Sequence, residues 1–167
     1  NKGNNGFRLA RNGEYVDKSG LIAVVNKILD TEKRFVCVSR SRRFGKSMAA
    51  KMLSAYYDRS CDSSALFDDL EIASHPSYRD HLNKYNVIKV DLNAMYSKSK
   101  TIIPVQSRPD NVIDYVTQMV CDEFLEAFTD VVFKCPVSIS DYIQTVFNQI
   151  HQTFIIIIDE YDVMIRE

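Results

Sequence analysis

The sequence predicts an α/β domain built on a parallel sheet. Three observations lead there. β-prone runs alternate along the chain with stretches whose apolar residues recur at helical spacing. The last such run, Phe154 to Ile158, is apolar at every position, as strands covered on both faces are. The 167 residues are 46% hydrophobic, enough for the core of one ordinary globular domain.

The elements follow in chain order. Residues 1 to 6, rich in Asn and Gly, read as a flexible leader. Ser19 stands as an N-cap before a helix whose Leu21, Ile22, Val25, Ile28 and Leu29 share one face. Phe35 to Val38 reads as a short strand. A helix is expected from near Lys46 to about Asp58, with Ala49, Met52, Leu53 and Tyr56 as its buried stripe. Residues 59 to 84 are polar, and LFDDLEI within them reads as a short helix or turn. Val87, Ile88, Val90 and Leu92 form the next strand. Residues 95 to 110 read as loop, with Pro104 and Pro109. Asp110 then caps a long helix with Val112, Val116, Met119, Val120 and Leu125 as core candidates. Ser138 and Asp141 have capping-box spacing before a helix with Ile143, Phe147 and Ile150 inward. Strand Phe154 to Ile158 closes the pattern, and right-handed crossovers would join the parallel strands.

Charge and cysteines narrow the function classes. Net charge is −1, so there is no global pull toward nucleic acid or anionic membrane. Cys37, Cys61, Cys121 and Cys135 form no CxxC pair, and no histidine has metal-ligand spacing, so a zinc site is not expected. Reduced thiols in a cytoplasmic protein are the expectation. The longest apolar runs, Leu21 to Val25 and Phe154 to Ile158, are too short to span a bilayer, and NKGNNGFRLA lacks a signal core. The first residue is not Met, which reads as a trimmed start. No repeat or low-complexity tract is present.

The chemistry concentrates in two places. The stretch SRSRRFGKS, Ser39 to Ser47, ends like a phosphate-binding loop of form GxxxxGK[ST], with Arg40 where the first glycine belongs. In such a loop the N–H groups at a helix N-terminus hold phosphate oxygens. Gly45 lets the backbone approach, Lys46 brings a mobile charge, and the Ser47 hydroxyl can take one position on Mg²⁺. Arg40, Ser41, Arg42, Arg43, Phe44, Gly45, Lys46, Ser47 and Met48 are therefore the candidate ATP-binding residues. Lys33, Arg34, Arg40, Arg42, Arg43, Lys46 and Lys51 give this stretch a positive field with no acidic residue among them. By itself GKS also fits a solvated basic loop.

The second place is FIIIIDEYD, Phe154 to Asp162. An apolar strand ending in Asp-Glu is what an ATPase of this kind needs opposite its loop. Asp159 would hold Mg²⁺, with Ser47, mostly through water. Glu160 would act as general base on the attacking water, and Lys46 joins it as the second catalytic candidate. Loop first and acidic strand later, both at strand ends, is the combination that specifies nucleotide binding. The wide separation of Lys46 from Asp159 predicts insertions around 59 to 84 and 95 to 135. The expected fold is thus a P-loop NTPase-like parallel sheet flanked by helices, incomplete, comprising the N-terminal part of the core.

YVDKS at Tyr15 to Ser19, RSRRFGKS at Arg40 to Ser47, LFDDLEI at Leu66 to Ile72 and IIIIDEYD at Ile155 to Asp162 resemble the bacterial AAA-ATPase-like family. In that family a YVDK[ST] segment precedes a loop of form RPRRFGK[ST], so arginine at the first-glycine position is its own pattern. Ser41 stands where the family usually has proline. The resemblance covers nearly the whole chain and implies the roles argued for Lys46, Ser47, Asp159 and Glu160. Asp17 and Asp162 also match family positions. Asp17 would order the segment beside the base pocket, or sit in the turn before the Ser19-capped helix; the latter is preferred.

Family members commonly continue into more ATPase core and a PD-(D/E)XK nuclease-like domain. The resemblance therefore implies that residues 1 to 167 are the N-terminal part of a longer protein, with 1 to 34 preceding the phosphate-loop strand. By analogy with additional-strand P-loop ATPases the strand order would be 5-1-4-3-2. Sensor and arginine-finger residues would lie beyond these residues or on a neighbouring subunit. The expected activity is Mg²⁺-dependent ATP hydrolysis that drives a partner or C-terminal domain acting on nucleic acid, with ATP and ADP as ligands, no membrane partner and a possible homo-oligomer. Two rivals stand beside it: a nucleotide-binding switch with little turnover, and a nucleic-acid-binding domain with a vestigial loop. Glu160 favours the first over the switch. Scattered tyrosines and acidic later helices disfavour the last.

Overall fold

The computed structural model describes residues 3–39, 44–102, 108–134 and 136–163. These form an α/β structure with seven α-helices and a two-stranded parallel sheet. Two compact units divide the chain, Asn1–Lys89 with Ile155–Asp159, and Val90–Phe154 with Glu160–Glu167.

The first unit carries α1 (Asn5–Arg11), α2 (Gly20–Asn26), α3 (Lys46–Tyr57) and α4 (Tyr78–His81). Strand β1 (Asn86–Asp91) pairs with β2 (Phe154–Asp159). Its core gathers Phe7, Ile22, Met52, Tyr56, Tyr57, Phe67, Ile72 and Tyr78. The expectation of a flexible leader fails for residues 3 to 6. Asn4 Nδ2 donates to the Asp62 carbonyl at 2.9 Å and to Ser63 Oγ at 3.0 Å. Phe7 then inserts into the core and stacks on Phe67, ring centroids 5.0 Å apart. Burying a phenylalanine contributes about 1.5–3 kcal/mol, which together with the Asn4 hydrogen bonds holds the polar start on the core.

α3 begins at Lys46 as expected and is buried over much of its circumference. Met52 and Tyr56 are core residues and Leu53 packs at the edge, but Ala50, Ala55 and Tyr57 are buried too, and Ala49 is only half-buried. A network of polar groups fixes its last turn. Tyr57 OH donates to Asn26 Oδ1 at 2.7 Å, and Asn26 Nδ2 donates to Tyr56 OH at 3.2 Å. Tyr56 OH donates onward to the Tyr78 carbonyl at 2.6 Å. Burial is the main reason the Tyr56 hydroxyl is pushed up to about 12 and the Tyr57 and Tyr78 hydroxyls are raised as well. The polar stretch 59 to 84 is no mere insertion. It supplies Phe67, Leu70, Ile72, Tyr78 and Leu82 to the core, through 3-10 turns at Ser64–Leu66 and Glu71–Ser74.

Phe35 to Val38 is not a strand. Among the described residues neither β1 nor β2 pairs with it, and Phe35 is 85% exposed. β propensity expresses itself only where a neighbour supplies ladder hydrogen bonds and a face to pack on. β2 forms where expected, but as a strand with one partner. Ile156 and Ile158 are 50% and 54% exposed on one face, so an all-apolar sequence has not placed it in a sheet interior here.

The second unit contains α5 (Leu92–Ile102), α6 (Arg108–Ala127) and α7 (Ile139–Ile150). α5 replaces the first part of the expected loop. Leu92, Met95, Tyr96 and Ser99 recur at helical spacing and are the less exposed face, a stripe hidden by the Ser/Lys-rich composition. Leu92 accordingly belongs to α5 rather than β1. α6 spans Arg108–Ala127, so Asp110 lies at its third position rather than before its first. Val120 is buried, but Phe124 takes the core position expected of Leu125. Phe124 meets Phe128, Tyr142 and Phe154 in an aromatic cluster.

α7 has the expected capping box. Asp141 N–H donates to Ser138 Oγ at 3.2 Å, and Ser138 N–H donates to Asp141 Oδ2 at 2.9 Å. Its buried stripe is turned by one position from the expected one. Val146 is fully buried, while Phe147 and Ile150 are exposed.

Candidate functional site

The site grows from the N-terminus of α3. Gly45 precedes it with φ +82°, a left-handed conformation that a side chain would strain. A Cβ on Gly45 would also stand 2.9 Å from Lys18 Nζ. Ala49 N–H donates to the Gly45 carbonyl at 2.9 Å, so the first helical turn closes on the glycine. The N-cap position is held by the glycine, which has no side chain, and the first turn holds no acidic residue. A helix N-terminus carries a partial positive charge that attracts anions. Lys46 and the exposed Ser47 occupy that first turn, followed by half-buried Met48, and Phe44 is 65% exposed. Arg40, Ser41, Arg42 and Arg43 lie outside the described residues.

At the other element, Asp159 ends β2 and is buried at 7% exposure. Glu160 follows in a left-handed conformation, φ +54°, unusual for a residue with a side chain. Its carbonyl accepts from Val163 N–H at 3.2 Å and closes the turn that contains Asp162. Lys46, Ser47 and Asp159 belong to the first unit, and Glu160 to the second.

Asp17 has a defined job that the sequence left open. Its Oδ1 accepts from Ser19 N–H and its Oδ2 from Glu71 N–H, both at 2.8 Å. Ser19, fully buried, accepts from Ile72 N–H on Oγ at 3.1 Å. Ser19 therefore precedes α2 without capping it through its side chain. YVDKS and LFDDLEI, apart in sequence, are thereby clamped together. Gly20 lies beside this joint, where a Cβ would stand 2.9 Å from the end of the flexible Glu71 side chain. Arg11 adds a fork to Asp69, 2.7 and 3.0 Å, and reaches the Leu66 carbonyl at 2.6 Å. Desolvation pushes the Asp17 carboxyl up, but the Glu71 and Ser19 amides that donate to it outweigh this and hold it below the ordinary carboxylate value.

The clamp also reaches the segment before α3. Lys18, between Asp17 and Ser19, donates from Nζ to the Phe44 carbonyl at 3.1 Å. Sequence reasoning singled out the segment but missed this lysine, since no spacing rule links it to a glycine so far along the chain.

Mg²⁺ keeps several of its waters and takes few protein ligands beside substrate phosphates. A hydroxyl in the first turn of α3 and a buried carboxylate at the end of β2 suit that donor set. Among the described residues no cluster of three or more His, Cys, Asp or Glu could by itself hold a metal ion. Among the described residues Cys37, Cys61 and Cys121 form no disulfide, and no helix is long and apolar enough to cross a membrane.

Residues 7–167 match the sequence model of a family described as Predicted AAA-ATPase. The chain belongs to this AAA-ATPase-like family. Neither a curated protein nor a solved structure gives a significant match. Membership makes the chain a nucleotide-binding, ATPase-like module, and it accords with a glycine-led helix end that carries Lys46.

Proposed function

We propose that this AAA-ATPase-like chain binds ATP at the N-terminus of α3 and contributes to its Mg²⁺-dependent hydrolysis. The observation that carries the reading is Gly45, the left-handed N-cap of a helix whose first two residues are Lys46 and Ser47. The first-turn N–H groups would bind phosphate oxygens, and Lys46 would neutralise the outer phosphates. The basic run from Arg40 to Arg43 with Phe44 and Met48 would complete the cradle. Ser47 and Asp159 would hold Mg²⁺, which supplies charge stabilisation to the leaving phosphate. Glu160 would orient and deprotonate the attacking water. Its left-handed backbone fits a strained position kept for chemistry.

The pairing of β1 with β2 supports a P-loop NTPase-like sheet, because those strands would be neighbours 2 and 3 of a 5-1-4-3-2 order. In this reading residues 1–167 are the N-terminal part of the ATPase domain of a cytoplasmic protein. The energy of hydrolysis would drive a partner or a C-terminal nuclease-like domain acting on nucleic acid, in a monomer or a homo-oligomer.

Calorimetric titration with ATP and ADP, with and without Mg²⁺, tests the reading. Wild type should bind with Mg²⁺ assistance, Lys46→Ala should lose binding, and Glu160→Gln should bind without turnover in the full-length protein. Equal binding by wild type and Lys46→Ala would remove the loop assignment.

A further inference from the structure

We propose that Lys18 is a positioning residue for the phosphate loop, acting through the Phe44–Gly45 peptide. The inference rests on the nucleotide reading above and adds a residue from outside the loop to it. Lys18 Nζ donates to the Phe44 carbonyl at 3.1 Å and stands 2.9 Å from where a Gly45 Cβ would be. A trans peptide is planar, with its C=O and N–H pointing in opposite directions. A carbonyl held toward Lys18 therefore turns the Gly45 N–H the other way. That amide is the last one before α3, and phosphate loops work by presenting N–H groups, not carbonyls, to the anion.

The anchor of Lys18 is rigid on both sides. Asp17 spends both oxygens on backbone amides, one of them in the 3-10 turn at Glu71. Ser19 is fully buried and bonded to Ile72 N–H. The lysine is thus fixed at its base and bonded at its tip to the Phe44 carbonyl. A single exposed lysine bond contributes little to folding, so the effort spent on placing it is better explained by the loop it touches.

The ligand class is a nucleoside di- or triphosphate, and ADP and ATP are the probes. Calorimetry would compare wild type, Lys18→Met, Lys18→Arg and Lys46→Ala, with thermal unfolding and the Gly45 amide resonance recorded without nucleotide. Lys18→Met should weaken ADP and ATP binding roughly tenfold or more, the scale of one charge-assisted hydrogen bond. It should also shift the Gly45 amide while leaving the unfolding temperature unchanged, and Lys18→Arg should restore most of the affinity.

Binding by Lys18→Met equal to wild type, with Lys46→Ala inactive, would overturn the role of Lys18 and leave the nucleotide reading standing. Affinity lost together with thermal stability and not restored by Lys18→Arg would reduce Lys18 to a structural contact. No binding by wild type would overturn the nucleotide reading, and this inference with it.

Discussion

Two regions of the first unit are built in opposite ways. Around α1, α2 and the 3-10 turns, large side chains are fully buried and polar groups interlock. Phe7, Ile22, Tyr56 and Phe67 are buried there, and Asp17, Ser19 and Arg11 bind backbone from distant segments. Along the strand side, Phe35, Val36, Val38, Ile156 and Ile158 remain exposed. The difference teaches that α3 is held from behind, by the clamp and the aromatic core.

The comparison can be broken most severely at Phe67. It stacks on Phe7 and meets Tyr56 edge-on at 5.4 Å. Phe67→Ala should cost about 3–5 kcal/mol, read from chemical denaturation, and should loosen α1 as well. A cost under about 1 kcal/mol would mean that the clamp side is not the stable half.

The next effect is at Asp17. Asp17→Ala leaves two backbone amides without their charged acceptor and should cost about 1–3 kcal/mol at neutral pH. The sign with pH follows from its lowered carboxyl. Its contribution is fully present above the ordinary carboxylate value and is lost as pH falls through the lower folded-state value. The gap between wild type and Asp17→Ala should therefore shrink below about pH 4. A gap that stays constant into acid would show that the carboxylate charge is not what holds the Glu71 amide.

The smallest effect belongs to the open side. Ile158→Thr, at a half-exposed position of β2, should change stability by no more than about 0.5 kcal/mol. A large loss in the same denaturation assay would show that the strand face is covered in solution, and the contrast between the two regions would fall.

The local elements that carry the candidate residues were legible in the sequence because short-range patterns encode them. Gly45-Lys46-Ser47 opens a helix, Asp159 ends a strand, and the Ser138–Asp141 box caps α7. Each depends on neighbours a few positions away. What misled the reading was composition. The Asn/Gly-rich start hid the burial of Phe7, and the Ser/Lys-rich stretch after β1 hid the stripe of Leu92, Met95, Tyr96 and Ser99. In α7 the apolar stripe was wide enough to allow two faces, and only its neighbours chose Val146 over Phe147.

The sequence by itself determined the α/β class, the glycine-led helix with its lysine, the acidic end of β2 and the family. Short-range rules of capping, periodicity and backbone freedom are enough for these. Only the tertiary structure decided that Asp17 and Ser19 clamp the 3-10 turn, that Lys18 holds the Phe44 carbonyl, and that Phe35 to Val38 stays out of the two-stranded sheet. Each of these is a hydrogen bond made, or a ladder not made, between residues far apart in the chain. Pairing across such distances depends on where the whole core brings the backbone, which no local pattern encodes.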